Sequence, residues 1–189
     1  NTFRQLQVYD GMGWKAPEFA HVPLIHGADG AKLSKRHGAL GVDAYRDMGY
    51  LPSALRNYLL RLGWGHGDDE IFTDEQAQAW FDIKDVVGAP ARLDWAKLNH
   101  INNHYIRQAG IPRLVGLVAD IHRSRDRKVG EADLPVLERT IPLVRDGAKT
   151  LLELADATNF VLNRRPLELP EKAQGLLTDE TRARLNRLQ

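Results

Sequence analysis

The spacing of apolar positions changes character along the chain. Residues 19–25 read Phe-Ala-His-Val-Pro-Leu-Ile, an apolar run free of charge and bounded by Pro17 and Gly27, which predicts a short buried strand. Ahead of it there is room for one helix, at about residues 2–8. After it, His26-Gly27-Ala28-Asp29-Gly30-Ala31 supplies two glycines and an Asp-Gly pair, the composition of a tight turn. Residues 42–48 then read as one or two helical turns ended by Gly49.

From Leu51 onward the period is helical. Pro52 suits a first helical position, Leu55, Tyr58, Leu59 and Leu62 follow the i, i+3, i+4, i+7 rule, and Gly63 is placed to stop the helix. Thr73 followed by Gln76 forms a capping box that opens a helix expected to bury Ala77, Trp80 and Phe81. Asp94 caps a helix carrying Trp95, Leu98, Ile101 and Tyr105. Ile111-Pro112 starts another, with Leu114, Val118 and Ile121 on one face. Pro135 and Pro142 each mark a helix opening, the second leading into a longer helix with Leu143, Val144, Ala148, Leu151, Leu152 and Ala155. Thr178 caps a last helix containing Leu185 and Leu188. The expectation is a mainly α chain. A doubly wound α/β domain needs several strand and helix units before Phe19, so the strand either pairs within a small irregular domain or lacks its sheet.

Composition narrows the chemistry. The chain has 189 residues, 43% of them hydrophobic, with 26 Lys plus Arg against 25 Asp plus Glu and no cysteine. These are the proportions of a globular protein. Absence of cysteine excludes disulfides, thiolate zinc sites and a cysteine nucleophile, and fits a reducing compartment. No apolar run approaches the roughly 18 residues of a membrane span, and a cytoplasmic location is expected. Residues 1–44 carry 5 basic and 4 acidic side chains, 45–107 carry 7 and 9, and 108–189 carry 14 and 12. None of these segments is a uniform polyanion-binding surface. Two local clusters stand out, Lys32-Leu33-Ser34-Lys35-Arg36-His37 and Arg123-Ser124-Arg125-Asp126-Arg127-Lys128, the second reading as a solvated helix end. His100 and His104 are four apart without an HExxH pattern, so they read as helix histidines and not as a metal pair. Trp14, Trp64, Trp80 and Trp95 are too dispersed for a stacking platform and suit core packing.

The first cluster carries chemistry. Lys32-Leu33-Ser34-Lys35-Arg36 places two lysines three apart around a small hydroxyl residue, between Gly30 and Gly38. Two ammonium groups on a glycine-hinged loop can follow the charge that develops on a polyphosphate, and backbone N–H groups of such a loop can contact a nucleotide. A solvated basic turn has the same spacing.

The KLSKR sequence after an apolar run ending PLIHG resembles the KMSKS signature loop of class I aminoacyl-tRNA synthetases, in the form seen in bacterial glutamyl-tRNA synthetases. The similarity continues through Lys35-Arg36-His37-Gly38-Ala39, the stretch from Tyr45 to Pro52, Ala54 to Leu59, and Leu62-Gly63-Trp64. Asp69-Glu70-Ile71-Phe72, Lys97-Leu98-Asn99 and His104-Tyr105-Ile106-Arg107 then follow in the same order. It is strong over residues 1–107 and weaker afterwards. The resemblance implies the remnant of a class I Rossmann-type catalytic domain at 1–44, a stem-contact domain at 45–107, and the first part of an all-α anticodon-binding domain at 108–189.

The resemblance also implies roles. Lys35 would stabilise the ATP phosphates as glutamate attacks to form the adenylate, Lys32 would assist, and Leu33 and Ser34 would lie near the adenosine. Arg36 replaces the terminal serine of the general signature. ATP with magnesium, glutamate and tRNA-Glu are the implied substrates, with no protein-bound metal and a monomeric intact enzyme. Arg56, Arg61 and Lys97 are candidate tRNA contacts. The HIGH signature has no counterpart, since neither His26-Gly27 nor His37-Gly38 precedes a sheet. Asn1 is therefore expected to be a boundary inside a longer catalytic domain, and the chain alone is expected to be inactive. The rival expectation is a non-catalytic helical RNA- or protein-binding module with an inert signature loop.

Overall fold

The computed structural model describes residues 1–27, 30–32, 41–163 and 174–187. The chain is mainly α and divides into two units, Asn1–Gln108 and Ala109–Gln189. In the first unit, helix α1 (Thr2–Gly11) is followed by an extended segment that reaches strand β1 (Ile25–His26). Helices α2 (Val42–Asp47), α3 (Pro52–Gly63) and α4 (Asp74–Trp80) precede strand β2 (Ala91–Arg92) and helix α5 (Trp95–Gln108). β1 and β2 pair in parallel, with Ile25 opposite Ala91 and His26 opposite Arg92.

Local signals set most of these helices. Pro52 sits in the first turn of α3, where its missing N–H is harmless. At α4 the Thr73 hydroxyl accepts from the Gln76 amide at 3.2 Å while the Gln76 side chain accepts from the Thr73 amide at 2.8 Å, completing the expected capping box. Asp94 Oδ1 accepts from the Lys97 amide at 3.0 Å and caps α5. Gly49 follows α2 at φ +85°, a left-handed stop.

The core of the first unit lies where α3 crosses α5. It joins Leu51, Ala54, Leu55 and Tyr58 to Leu98, Ile101 and Ile106. Leu59, expected on the buried face, is 43% exposed because the buried stripe runs through Leu51, Ala54, Leu55 and Tyr58 instead. Two backbone amides help fix the crossing. The Leu51 amide donates to Asn102 Oδ1 at 2.8 Å, and the Asp94 amide donates to the Tyr58 hydroxyl at 2.6 Å.

The expected strand at 19–25 is shorter than its apolar run. Only Ile25–His26 pairs, and Val22 is 80% exposed, because among the described residues β2 is the sole partner in the sheet. Val22, Pro23 and Ile25 instead line an open apolar cavity of about 240 Å³ with Leu59, Trp64 and Phe81. Phe81 lies beyond the end of α4 in extended backbone, so it leaves the buried face that Ala77 keeps, and Trp80 is half-buried. Of the other tryptophans, Trp64 is buried, Trp95 half-buried and Trp14 exposed.

The second unit packs α6 (Ile111–Ser124), α7 (Leu134–Val144) and α8 (Leu151–Leu162) against one another in all three pairings. Leu114, Val118, Leu137, Ile141 and Leu154 are fully buried between them. Pro135 opens α7 as expected, but Pro142 does not open a helix: α7 runs through it to Val144. Burial of Leu137 and Ile141 outweighs the lost amide. Leu143 accordingly points outward, and the next helix starts only at Leu151, where the Thr150 hydroxyl accepts from the Glu153 amide. The last helix, α9 (Asp179–Asn186), is capped by Thr178 and buries no residue. Leu188 lies outside the described residues. Among the described residues, no helix is long and apolar enough to cross a membrane.

Candidate functional site

The basic loop leaves β1 through a closed turn. The Gly27 amide donates to the Ala31 carbonyl at 2.9 Å and the Gly30 amide to the Gly27 carbonyl at 3.0 Å. Gly30 takes φ +77°, a conformation that disfavours side chains. Lys32 returns beside His26 as an antiparallel bridge and is solvent-exposed. Its backbone is thereby tied to the strand that β2 supports. Leu33, Ser34, Lys35 and Arg36 lie outside the described residues.

Arg92 is the residue the linear sequence did not single out. It faces His26 across the β1–β2 pairing, and its Nη2 lies 3.6 Å from where a side chain on Gly30 would begin. A guanidinium thus packs over the turn that feeds the basic loop. No short-range signal marks it, because β1 and β2 are far apart in sequence.

The three candidate RNA contacts fall on two packed helices, and each meets a carboxylate. Arg56 on α3 pairs with Asp74 through two hydrogen bonds, its Nε lying 3.1 Å from Oδ1. Lys97 on α5 donates to Glu70 Oε1 at 3.0 Å, and Arg61 on α3 stands 4.0 Å from the same oxygen. Lys97, then Arg61 and His100, hold the Glu70 carboxyl below the usual carboxylate range. Arg61 is the most enclosed of the three at 19% exposure, and its Nε is buried without a hydrogen-bond partner among the described residues.

A buried amide positions the segment that bears these carboxylates. Asn57 Nδ2 donates to the Glu70 carbonyl at 2.9 Å, and Asn57 Oδ1 accepts from the Phe72 amide at 3.3 Å. The Tyr105 hydroxyl hydrogen lies between two acceptors, Asn57 Oδ1 at 2.9 Å and the Phe72 carbonyl at 2.7 Å. Burial raises the Tyr105 pKa above its ordinary value. With Phe72 itself buried, residues 70–74 are fastened across α3 and α5.

In the second unit the cluster at 123–128 ends α6, and its three arginines are each paired with a polar or acidic residue outside the cluster. Arg123 meets Asp120 at 2.9 Å, Arg125 meets Asp156 at 2.6 Å, and Arg127 donates to Asn163 at 2.9 Å. Asp126 in its middle takes φ +61°. His100 and His104 make no metal cluster with other described residues; His104 packs edge-on against Tyr105.

Comparison with known proteins identifies the pattern. The family described as class I tRNA synthetases (E and Q), catalytic domain, matches residues 1–100. Over 188 residues the chain is 65% identical to a glutamate–tRNA ligase of Phenylobacterium zucineum, and it is 56% identical to one of Caulobacter vibrioides. Both alignments cover the whole chain and 40% of the relative, so the chain spans about two fifths of the length of the curated relatives it matches. A crystal structure of a glutamate tRNA ligase from Elizabethkingia meningosepticum, in complex with its amino acid, superposes with a TM-score of 0.73 at 27% identity. That match covers 97% of this chain and 40% of the other.

Proposed function

The chain belongs to the class I tRNA synthetases (E and Q), and from that premise we propose that it is the signature-loop part of a glutamate–tRNA ligase. The observation that carries this reading is the likeness to the Phenylobacterium zucineum ligase over the whole chain, across the segment in which this sequence carries KLSKR. In the proposed reaction a glutamate carboxylate oxygen attacks the α-phosphorus of ATP, and the bond to the β-phosphate breaks, releasing pyrophosphate. The tRNA-Glu 3′-terminal hydroxyl then attacks the activated carbonyl and AMP leaves. Magnesium enters with ATP as part of the substrate.

Lys35 has the role of neutralising charge that grows on the departing pyrophosphate, with Lys32 assisting from the tied end of the loop. Leu33, Ser34 and Arg36 complete the ATP-contacting stretch. A preorganised cation of this kind acts on the transition state more than on the bound substrate. Arg92, packed over Gly30, steadies the turn from which the loop departs. Residues 1–44 are read as the end of the ATP-binding domain, 45–107 as the stem-contact domain with Arg56, Arg61 and Lys97 facing RNA, and 108–189 as the start of the anticodon-binding domain. The intact enzyme is read as a cytoplasmic monomer.

Substitution of this chain for the matching two fifths of the Phenylobacterium zucineum enzyme tests the reading. The chimera is expected to catalyse glutamate-dependent ATP–pyrophosphate exchange and to charge tRNA-Glu. Lys35→Ala in that chimera should slow exchange by a factor on the order of 10² or more while tRNA affinity changes little. A folded chimera without exchange, or equal losses of exchange and tRNA affinity, would overturn the assignment.

A further inference from the structure

The carboxylates that meet Arg56, Arg61 and Lys97 need an explanation of their own. Asp74 and Glu70 are 48% and 51% exposed, and an ion pair at that exposure contributes little to folding. Yet the backbone beneath them is held by buried and half-buried hydrogen bonds with Asn57 and Tyr105, so both acids arrive already placed on cations from two different helices. Without them, three cations on the packed pair α3 and α5 would form a patch open to any polyanion. With them, two of the three charges are cancelled, and Arg61 is left with a single carboxylate oxygen at 4.0 Å that Lys97 holds more closely.

We propose that Glu70 and Asp74 are built-in competitors of RNA phosphate for Arg56, Arg61 and Lys97, so that this face accepts only an RNA already seated by other contacts. The inference rests on the RNA-binding reading above and adds a source of selectivity to it. A loosely bound polyanion must displace each carboxylate at its own expense, and one exposed pair weakens such binding by a factor of up to about five. An RNA held elsewhere on the enzyme presents its phosphates at high effective concentration and displaces the carboxylates at little cost. Of the neighbouring acids, Asp69 lies 3.3 Å from His66, and Glu75 is stabilised within the first turn of α4. The competition therefore falls to Glu70 and Asp74.

The 189-residue chain carrying Glu70→Gln and Asp74→Asn together tests this. Binding to poly-uridylate and to tRNA-Glu would be followed by fluorescence anisotropy between 50 and 200 mM salt, with thermal melts confirming that the variant is folded. The variant should bind poly-uridylate about five- to twenty-fold more tightly. Its plot of log affinity against log salt should steepen by about 0.7 for each cation freed to meet phosphate. Its preference for tRNA-Glu should shrink. Adding Arg56→Ala, Arg61→Ala and Lys97→Ala should remove the gain. An unchanged affinity and salt slope would overturn the proposal, as would a gain that survives loss of the three cations. If the gain appears but the unmodified chain binds tRNA-Glu no better than poly-uridylate, the competition stands and the glutamate–tRNA reading of this chain fails.

Discussion

His122 is fully buried on α6, and its hydrogen bond to Thr158 fixes which ring nitrogen donates. The Thr158 hydroxyl gives its one hydrogen to the Ala155 carbonyl at 2.8 Å, so at 3.0 Å it accepts from His122 Nε2, which must carry the proton. In the neutral ring Nδ1 is a bare acceptor, buried without a hydrogen-bond partner among the described residues. Burial, then Arg127 and Arg125, lower the His122 pKa, with Asp156 opposing them. Below the ordinary value of 6.5 the unfolded chain binds a proton that the folded ring refuses, so stability falls as pH falls until the folded ring itself titrates. Urea unfolding between pH 7.5 and 5.5 should show this slope, bounded at about 1.4 kcal/mol per pH unit. His122→Gln should flatten it, and an unchanged slope would remove His122 as the cause. The sequence placed His122 on a helix but gave no hint of this role, because the Thr158 partner belongs to α8. Arg56, Arg61 and Lys97 were readable as charges, whereas their pairing with Asp74 and Glu70 depends on Asn57, an unremarkable polar residue in the chain.

At the scale of single elements, helix boundaries were the most legible feature because their signals are local. The Thr73–Gln76 box closes as its spacing requires, and each bond satisfies an amide that the helix leaves unpaired. Thr73→Ala should lower stability by about 1 kcal/mol, measured by chemical denaturation, while Thr73→Ser should retain most of it. Comparable losses in both variants would show that the box is not the stabilising contact. Local signals misled where tertiary burial had the larger effect. Pro142 resembles a helix opening by its own chemistry, yet it lies inside α7 because Leu137 and Ile141 are fully buried on that helix. The run at 19–25 has strand composition, but strand length is set by available partners, and the described residues offer only the two-residue strand Ala91–Arg92 and a single bridge from Lys32.

For the whole molecule, length is the quantity that shapes function. The chain corresponds to 40% of the Phenylobacterium zucineum ligase, and its 189 residues do not contain the HIGH signature. The isolated 189-residue chain is therefore expected to show no glutamate-dependent ATP–pyrophosphate exchange above background, even at saturating ATP. Measurable exchange would mean that the loop and its neighbours suffice for activation. The sequence by itself determined the mainly α character, the helix starts marked by capping residues or by Pro52, Pro112 and Pro135, and the signature that ties the chain to its family, because periodicity, caps and linear motifs are written in neighbouring residues. Only the tertiary structure decided that Arg92 packs over Gly30, that Asn57 and Tyr105 carry two carboxylates onto three cations, and that His122 is sealed against Thr158. Those contacts join residues brought together by packing, and the free energy that selects them comes from burial shared among helices, which no local pattern records.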